Sequence, residues 1–243
     1  VPDITNEFFA RIIRELDTFL LSRRYSLLVC NSNEDYMLEN MHIKGLAEKH
    51  VDGIIYISGQ NEIKEISEIK NLPIVYIDRA PKNAEVLILS DNETGGYLAG
   101  RELIAKGCTK ILFLRDIRYA STIRSRKEGF IRALGENGIS FSEELEMSCF
   151  PEYEETRGVM ERLLREKGCF FDGIFTTNDM MALACINVLM ENRIKVPDQV
   201  RVVGFDNISL SQFASPQITT IAQDTKELAL HAGETILKMI EGK

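Results

Sequence analysis

No stretch of the 243 residues approaches the roughly 18 consecutive apolar positions that a membrane-spanning helix needs. The start, VPDITNEFFARIIRELD, lacks the charged-then-apolar layout of a signal peptide. Basic residues are in the minority: 29 Lys and Arg stand against 37 Asp and Glu, a formal net charge of −8. Neutralising phosphates takes a basic surface, so this portion of chain is a poor nucleic-acid binder by itself. The 5 cysteines, Cys30, Cys108, Cys149, Cys169 and Cys185, are odd in number, include no CxxC pair and lie mostly in apolar segments. They read as reduced core thiols of a cytoplasmic protein. The 3 histidines, His42, His50 and His231, all fall within segments of helical periodicity. There is no Walker loop, no GxGxxG, no HExxH, no Cys/His cluster, and no Ser or Cys in a recognisable nucleophile turn. The sequence therefore offers no catalytic residue, no metal site and no cofactor site.

What is present is the usage of a globular chain, 44% hydrophobic and 27% charged, without repeats, low-complexity tracts or a Pro/Gly/Ser-rich linker. Strand-like and helix-like segments alternate. Phe8, Ile12, Leu16 and Phe19 recur at helical steps and predict a helix over 7–21. A short apolar run follows over 25–30. Helices are predicted over 35–49, 61–70, 94–106, 123–137, 154–167, 179–192 and 225–241. Strands are predicted over 51–58, 73–79, 85–90, 110–115, 145–150, 172–177, 200–205 and 218–221. Continuous Val/Ile/Leu strands between helices mean parallel sheet covered on both faces. VDGIIYIS followed by LPIVYIDR is echoed by FDGIFTTN followed by VRVVGFDN, which suggests two similar α/β lobes. The chain enters straight into a loop and helix, where a doubly wound lobe carries a central strand first, so an upstream extension is expected.

Open α/β sheets bind ligands outside the carboxyl ends of their strands. The residues there are Ser58, Asp78 and Arg79 in the first half, and the 115–126 stretch, Phe150, Asn178 and Asp206 in the second. Asn6, Phe8, Phe9 and Gln223 join them. Carboxylates, guanidiniums, carboxamides and phenyl rings suit a small polyhydroxylated molecule, whose hydroxyls they bind in pairs and whose C–H faces they pack. Each residue also has a plainer reading. Asp206 caps a turn, and Asp78-Arg79 form a solvated pair. Phe8 and Phe9 enter the core, one more readily than both, because adjacent residues cannot share a helix face. Thr177 or Asn178 is an N-cap. Arg124-Ser125-Arg126-Lys127 lies on a solvated helix face. Gly95-Gly96…Gly100, inside a helix, reads as close packing.

VPDITNEFF, VDGIIYIS, VYIDR, RSRKEGFIRAL, TTNDMMALA, VPDQVRVVGFDN and SPQITTIAQD, in order and along essentially the whole chain, closely resemble the regulatory domain of the lactose repressor/galactose repressor (LacI/GalR) transcription factors. That resemblance implies two doubly wound parallel-sheet lobes with a hinge, of the periplasmic-binding-protein type. The lobes are expected over 1–104 plus 224–241 and over 105–223. It implies an effector-binding, dimerising domain of a sugar-responsive cytoplasmic regulator, with no enzymatic activity. The family's helix-turn-helix headpiece is absent from this chain, so operator DNA would be reached only through that upstream part, and no membrane is involved. Asn6, Phe8, Phe9, Asp78, Arg79, Arg126, Phe150, Asn178, Phe205, Asp206 and Gln223 match the effector contacts, with Thr122 and Asp91 as lesser candidates. The set is similar to that of ribose-binding protein, which makes ribose or a similar pentose the first effector expected, held between the lobes. The alternatives are a periplasmic sugar-binding protein and a sugar-processing enzyme using Asp78 and Asp206 as acid and base.

Overall fold

The computed structural model describes residues 1–57, 72–79, 81, 84–118 and 120–242. In chain order the elements are α1 (Glu7–Ser22), α2 (Tyr36–Glu48), β1 (Ile54–Tyr56), β2 (Ile74–Ile77), β3 (Leu87–Ile88), α3 (Asn92–Ala105), β4 (Ile111–Asp116), α4 (Ser121–Glu136), β5 (Glu146–Cys149), α5 (Tyr153–Lys167), β6 (Gly173–Thr176), α6 (Asp179–Glu191), β7 (Arg201–Asp206), α7 (Ser209–Phe213), β8 (Thr219–Ala222) and α8 (Thr225–Ile240). The helix expected over 61–70 and the strand-end residue Ser58 lie outside the described residues. Packing divides the chain into two units. One takes Val1–Ser90, Ala120–Thr122 and Asp224–Lys243; the other takes Asp91–Tyr119 and Ile123–Gln223.

In the first unit β1, β2 and β3 form a parallel sheet in that order, with Ile54 opposite Ile74 and Tyr76 opposite Leu87. α1 is helical because its apolar residues recur at helical steps and because Asn6 caps it, accepting the Phe8 N–H at 2.9 Å. Its stripe of Phe8, Phe9, Ile12, Leu16 and Leu20 is buried with Val75 and Ile77 of β2 and with Leu228, Ala232 and Ile236 of α8. Each such side chain contributes about 1.5–3 kcal/mol on burial. Tyr25–Cys30 has the apolar content of a strand, yet joins neither sheet, and Leu28 and Val29 are exposed.

The second unit holds a five-stranded parallel sheet in the order β5-β4-β6-β7-β8. Successive residues of each strand feed opposite faces. Phe113, Phe175, Val203 and Phe205 pack with Ala99 and Leu103 of α3 and Phe130 and Leu134 of α4. Leu112, Leu114, Ile174 and Val202 pack with Met160 and Leu163 of α5 and with Cys185 and Leu189 of α6. Helices therefore cover both faces, the doubly wound arrangement. All 5 cysteines are free thiols, with Cys108, Cys149 and Cys185 buried.

The division falls between Ser90 and Asp91, whereas the sequence reading ran the first lobe through 104 and so put α3 there. The glycines explain the grouping. A Cβ on Gly95 would come within 2.6 Å of the Phe205 ring, and one on Gly96 within 1.9 Å of the Arg126 carbonyl oxygen. Reciprocally, a Cβ on Gly129 of α4 would meet the Glu93 carbonyl oxygen at 1.8 Å. Bare backbone on both helices lets α3 and α4 touch, and this fixes α3 to the second unit.

Candidate functional site

The strand order places a topological switch in the second sheet. β4 has β5 on one side and β6 on the other, so the chain leaves their carboxyl ends in opposite directions and opens a crevice there. Asp116 ends β4 and Thr177 follows β6; the Thr177 hydroxyl accepts the Asp116 N–H at 3.2 Å. Arg126, one helical turn into α4, reaches this point. Its Nη1 donates to the Thr177 carbonyl at 2.6 Å and its Nε to Asn92 Oδ1 at 2.8 Å. The guanidinium carbon lies 3.6 Å from the centroid of the Phe205 ring, and Nη2 is 3.9 Å from Asp206 Oδ1. Arg126 is buried, not on a solvated helix face. Buried guanidinium is tolerated because acceptors and an aromatic face replace its water.

Asp206 ends β7 at φ 102°, followed by Asn207 at φ 52°. Positive φ is uncommon for residues with a Cβ, and Asp and Asn tolerate it best. The turn aims the Asp206 carboxylate at Arg126 and at Gln223, whose Nε2 donates to it at 2.8 Å. The other Gln223 amide atom, Oε1, is buried and finds no donor among the described residues. Asp179 stands behind the turn. Its Oδ2 accepts the Ile208 N–H at 2.9 Å and its Oδ1 accepts the Thr220 hydroxyl at 2.5 Å. Burial pushes its carboxyl up to about 7, against the lowering effect of the Thr220 hydrogen bond; the Asp206 charge adds to the rise, and the Ile208 and Asn207 N–H groups oppose it.

Phe150 follows β5 and leaves 47% of its surface exposed, with the Arg118 guanidinium 5.9 Å from its ring centroid. Arg118 in turn pairs with Asp116 at 2.8 Å. Asn178 is the N-cap of α6: its Oδ1 accepts the Met181 N–H at 2.8 Å and its Nδ2 reaches the Pro151 carbonyl at 3.4 Å. Asp91 similarly caps α3, accepting from the Thr94 N–H, and that bond, with the Thr94 hydroxyl, holds its carboxyl low.

The first unit has its own polar edge. Asp78 follows β2 at φ 67° and is buried. Arg79 Nη1 donates to Glu34 at 2.8 Å, its Nε lies 3.9 Å from Asp78, and its guanidinium sits 5.8 Å from the Phe9 centroid. The pair is embedded in protein, unlike the solvated pair of the plainer reading. Asn6 occupies its capping position, and both Phe8 (3% exposed) and Phe9 (5%) enter the core, which the sequence reading allotted to one more readily than to both. Both belong to one buried cluster with Val75 and Ile77 of β2 and Leu228 and Ala232 of α8. Thr122 is buried at the start of α4 and groups with this unit. The apolar groove of the same unit, lined by Leu16, Leu27, Ile43 and Ile54, includes none of these strand-end residues.

Three buried contributors escaped the sequence reading: Asn92, Thr177 as an acceptor for arginine, and Asp179. Asn92 and Asp179 each directly follow the N-cap of a helix, where a polar residue is ordinary and draws no notice. The one available signal was that Asp179 adds a second polar residue to a helix start Asn178 already caps.

Parallel doubly wound units with polar groups gathered at strand carboxyl ends define a ligand-binding domain of the periplasmic-binding-protein class. Residues 101–243 match the family model of the periplasmic binding protein-like domain. The HTH-type transcriptional repressor PurR of Pasteurella multocida is 31% identical over 240 residues, 97% of this chain and 72% of that protein. The transcription regulator CcpA of Lactococcus lactis superposes with a TM-score of 0.91 at 25% identity, covering 100% of this chain and 90% of that one. A LacI family transcriptional regulator from Enterococcus faecium with bound ribose gives 0.88 at 25% identity, over 99% and 88%. The chain belongs to the LacI/GalR family of transcriptional regulators, as an effector-binding domain. The relatives named are transcriptional repressors and regulators, not enzymes. No helix among the described residues is long and apolar enough to cross a membrane.

Proposed function

We propose that the chain senses a monosaccharide, ribose or a similar pentose first, and that this effector alters operator affinity when the domain is joined to a DNA-binding headpiece. The observation that carries the reading is Gln223 Oε1, a buried acceptor beside the Arg126–Asp206 pair that finds no donor among the described residues. A ligand hydroxyl would satisfy it, whereas leaving such a group unpaired costs about 1–3 kcal/mol. Asp206 accepts from hydroxyls, Arg126 donates, and Phe150 packs a C–H face. Asp78 and Arg79 supply the same chemistry in the first unit. The ribose bound to the Enterococcus faecium regulator supports the sugar class. Binding shifts the population of states only by its differential affinity for them, and a coupling of about 1–3 kcal/mol changes operator affinity roughly 5–150-fold. The working form is a cytoplasmic homodimer.

A planar heterocycle is the second reading. The half-exposed Phe150 ring and the higher identity to PurR than to the ribose-bound regulator favour it. A thermal-shift screen of pentoses, hexoses, their phosphates and purine bases separates the two. A ligand at 100 times its Kd stabilises by about 2.7 kcal/mol, so a true effector raises the melting temperature by several degrees. Asp206→Ala and Asp78→Ala should each remove the pentose shift. A purine base that stabilises while every sugar fails would overturn the sugar reading in favour of the second; a pentose shift that survives both variants would move the site elsewhere.

A further inference from the structure

Asp206 faces Arg126 and Gln223 from a strand end of unusual backbone conformation. The backbone turns into the left-handed region at two successive non-glycine residues, Asp206 and Asn207, and something must keep it there. The surrounding side chains supply one candidate. Asp179 is 1% exposed at the first position of α6, and its two carboxyl oxygens take the Ile208 N–H on one side and the Thr220 hydroxyl on the other. Thr220 Oγ1 in turn accepts the Asn207 N–H at 3.3 Å. The residue after the turn is thus tied to α6 directly, and the residue within it is tied to α6 through β8 and by its own N–H toward Asp179. Room for the carboxyl comes from Gly204, where a Cβ would sit 2.2 Å from Asp179 Oδ1. Nothing in helix capping requires this arrangement, because Asn178 already caps α6.

We infer that Asp179 is a positioning residue for the effector site: it holds the Asp206–Asn207–Ile208 turn so that the Asp206 carboxylate faces Arg126 and Gln223. The inference rests on the reading of Asp206 as an effector contact, but part of its test does not. What the turn needs from Asp179 is an acceptor for the Ile208 N–H and a polar partner for Thr220, not a charge. A carboxamide of the same shape meets both needs, its oxygen accepting from Ile208 and its NH2 donating to Thr220 Oγ1.

The test uses the whole chain and three variants, Asp179→Ala, Asp179→Asn and Gly204→Ala, the last pushing out the carboxyl while leaving the aspartate in the sequence. Effector affinity is read well below each variant's melting temperature, with the compound that stabilises the wild type. Asp179→Ala and Gly204→Ala should weaken it at least tenfold, and Asp179→Asn should stay within about threefold of the wild type. A residue that matters only for overall stability would leave affinity unchanged in every variant that is folded. Amide exchange in the unliganded protein provides the independent arm. Asp179→Ala should speed exchange at Asn207 and Ile208 while Phe175 in β6 stays protected, and Asp179→Asn should restore the slow rate. Unchanged exchange at Ile208 in Asp179→Ala, or unchanged affinity in both Asp179→Ala and Gly204→Ala, overturns the inference. If no compound in the screen binds the wild type, the sugar and heterocycle readings fall together. The positioning role is then decided by exchange and by the Gln223 side-chain amide signal, which should move in Asp179→Ala and return in Asp179→Asn; a signal that stays put overturns it.

Discussion

Arg126 shows why the chemistry of one residue outweighs its neighbourhood in sequence. It stands among Arg124, Ser125 and Lys127, a stretch that reads as a wet helix face, yet its guanidinium is buried on Phe205 with the Thr177 carbonyl and Asn92 as acceptors. Removing a buried cation strands its partners at a cost of about 3–5 kcal/mol. Arg126→Met, which keeps the stem and drops the charge, should therefore lower the midpoint of chemical unfolding as well as abolish effector binding. A variant as stable as the wild type would mean that the guanidinium is solvated. Asp179 makes a prediction of a different kind. Its carboxyl ionises near 3.8 in the unfolded chain and at about 7 in the folded one. The folded state therefore binds more protons between those values, and the stability this contributes is complete below about 4 and lost as pH rises through 7. Melting temperatures taken from pH 5 to pH 8 should fall more steeply in the wild type than in Asp179→Asn, whose amide does not titrate. Equal slopes would place the ionisation outside that window.

At the scale of elements, the contact between α3 and α4 is the most demanding feature. The two helices meet backbone to backbone, with Gly96 against the Arg126 carbonyl and Gly129 against the Glu93 carbonyl. Gly96→Ala or Gly129→Ala forces the helices apart, and overpacking of this kind costs about 1–3 kcal/mol. Because Arg126 lies on the moving helix, effector affinity should fall with stability. The double variant should cost less than the sum of the two, since one displacement relieves both clashes; strict additivity in urea unfolding would show the sites to be independent. Gly96 was legible in the sequence as close packing, although not what it packs against; Gly129 carried no such signal. Strands and helices were legible because apolar periodicity is a local property: β4 and β7 are built on the apolar runs ILFL and VVGF, and α1 carries its stripe in plain view. α7 was not, because five residues beginning with serine show no period. The left-handed turns at Asp78 and Asp206 were visible only as aspartates ending strands; their φ values, and the hydrogen bonds that Asp179 accepts behind the Asp206 turn, are products of tertiary packing. The candidate site was thus legible as a set of residue types at strand ends, while the partners that orient them were hidden among ordinary helix starts.

The molecule as a whole is built from a chain that leaves its first unit after Ser90 and comes back to it at Asp224. The return is not incidental to that unit. α8 supplies Leu228, Ala229, Ala232, Ile236 and Leu237 to the same core as Phe8, Ile12 and Leu16, and its Gly233 lies so near Phe19 that a Cβ would approach the ring to 2.5 Å. Among the described residues the first unit's sheet has three strands, and α1 shares its buried cluster with α8. The second unit, by contrast, is continuous apart from residues 120–122 and owns all five strands of its sheet. A chain ending at Gln223 should therefore lose one unit and keep the other. In amide exchange, α1 and β2 should exchange as fast as an unfolded chain, while Leu112, Phe113 and Ile174 remain protected. The truncated protein should also unfold in a single transition of smaller m-value, because less surface is left to expose. If α1 retained protection without α8, the core of the first unit would have to be sustained by β2 and its loops, and the division of labour argued from Gly233 and Phe19 would be wrong.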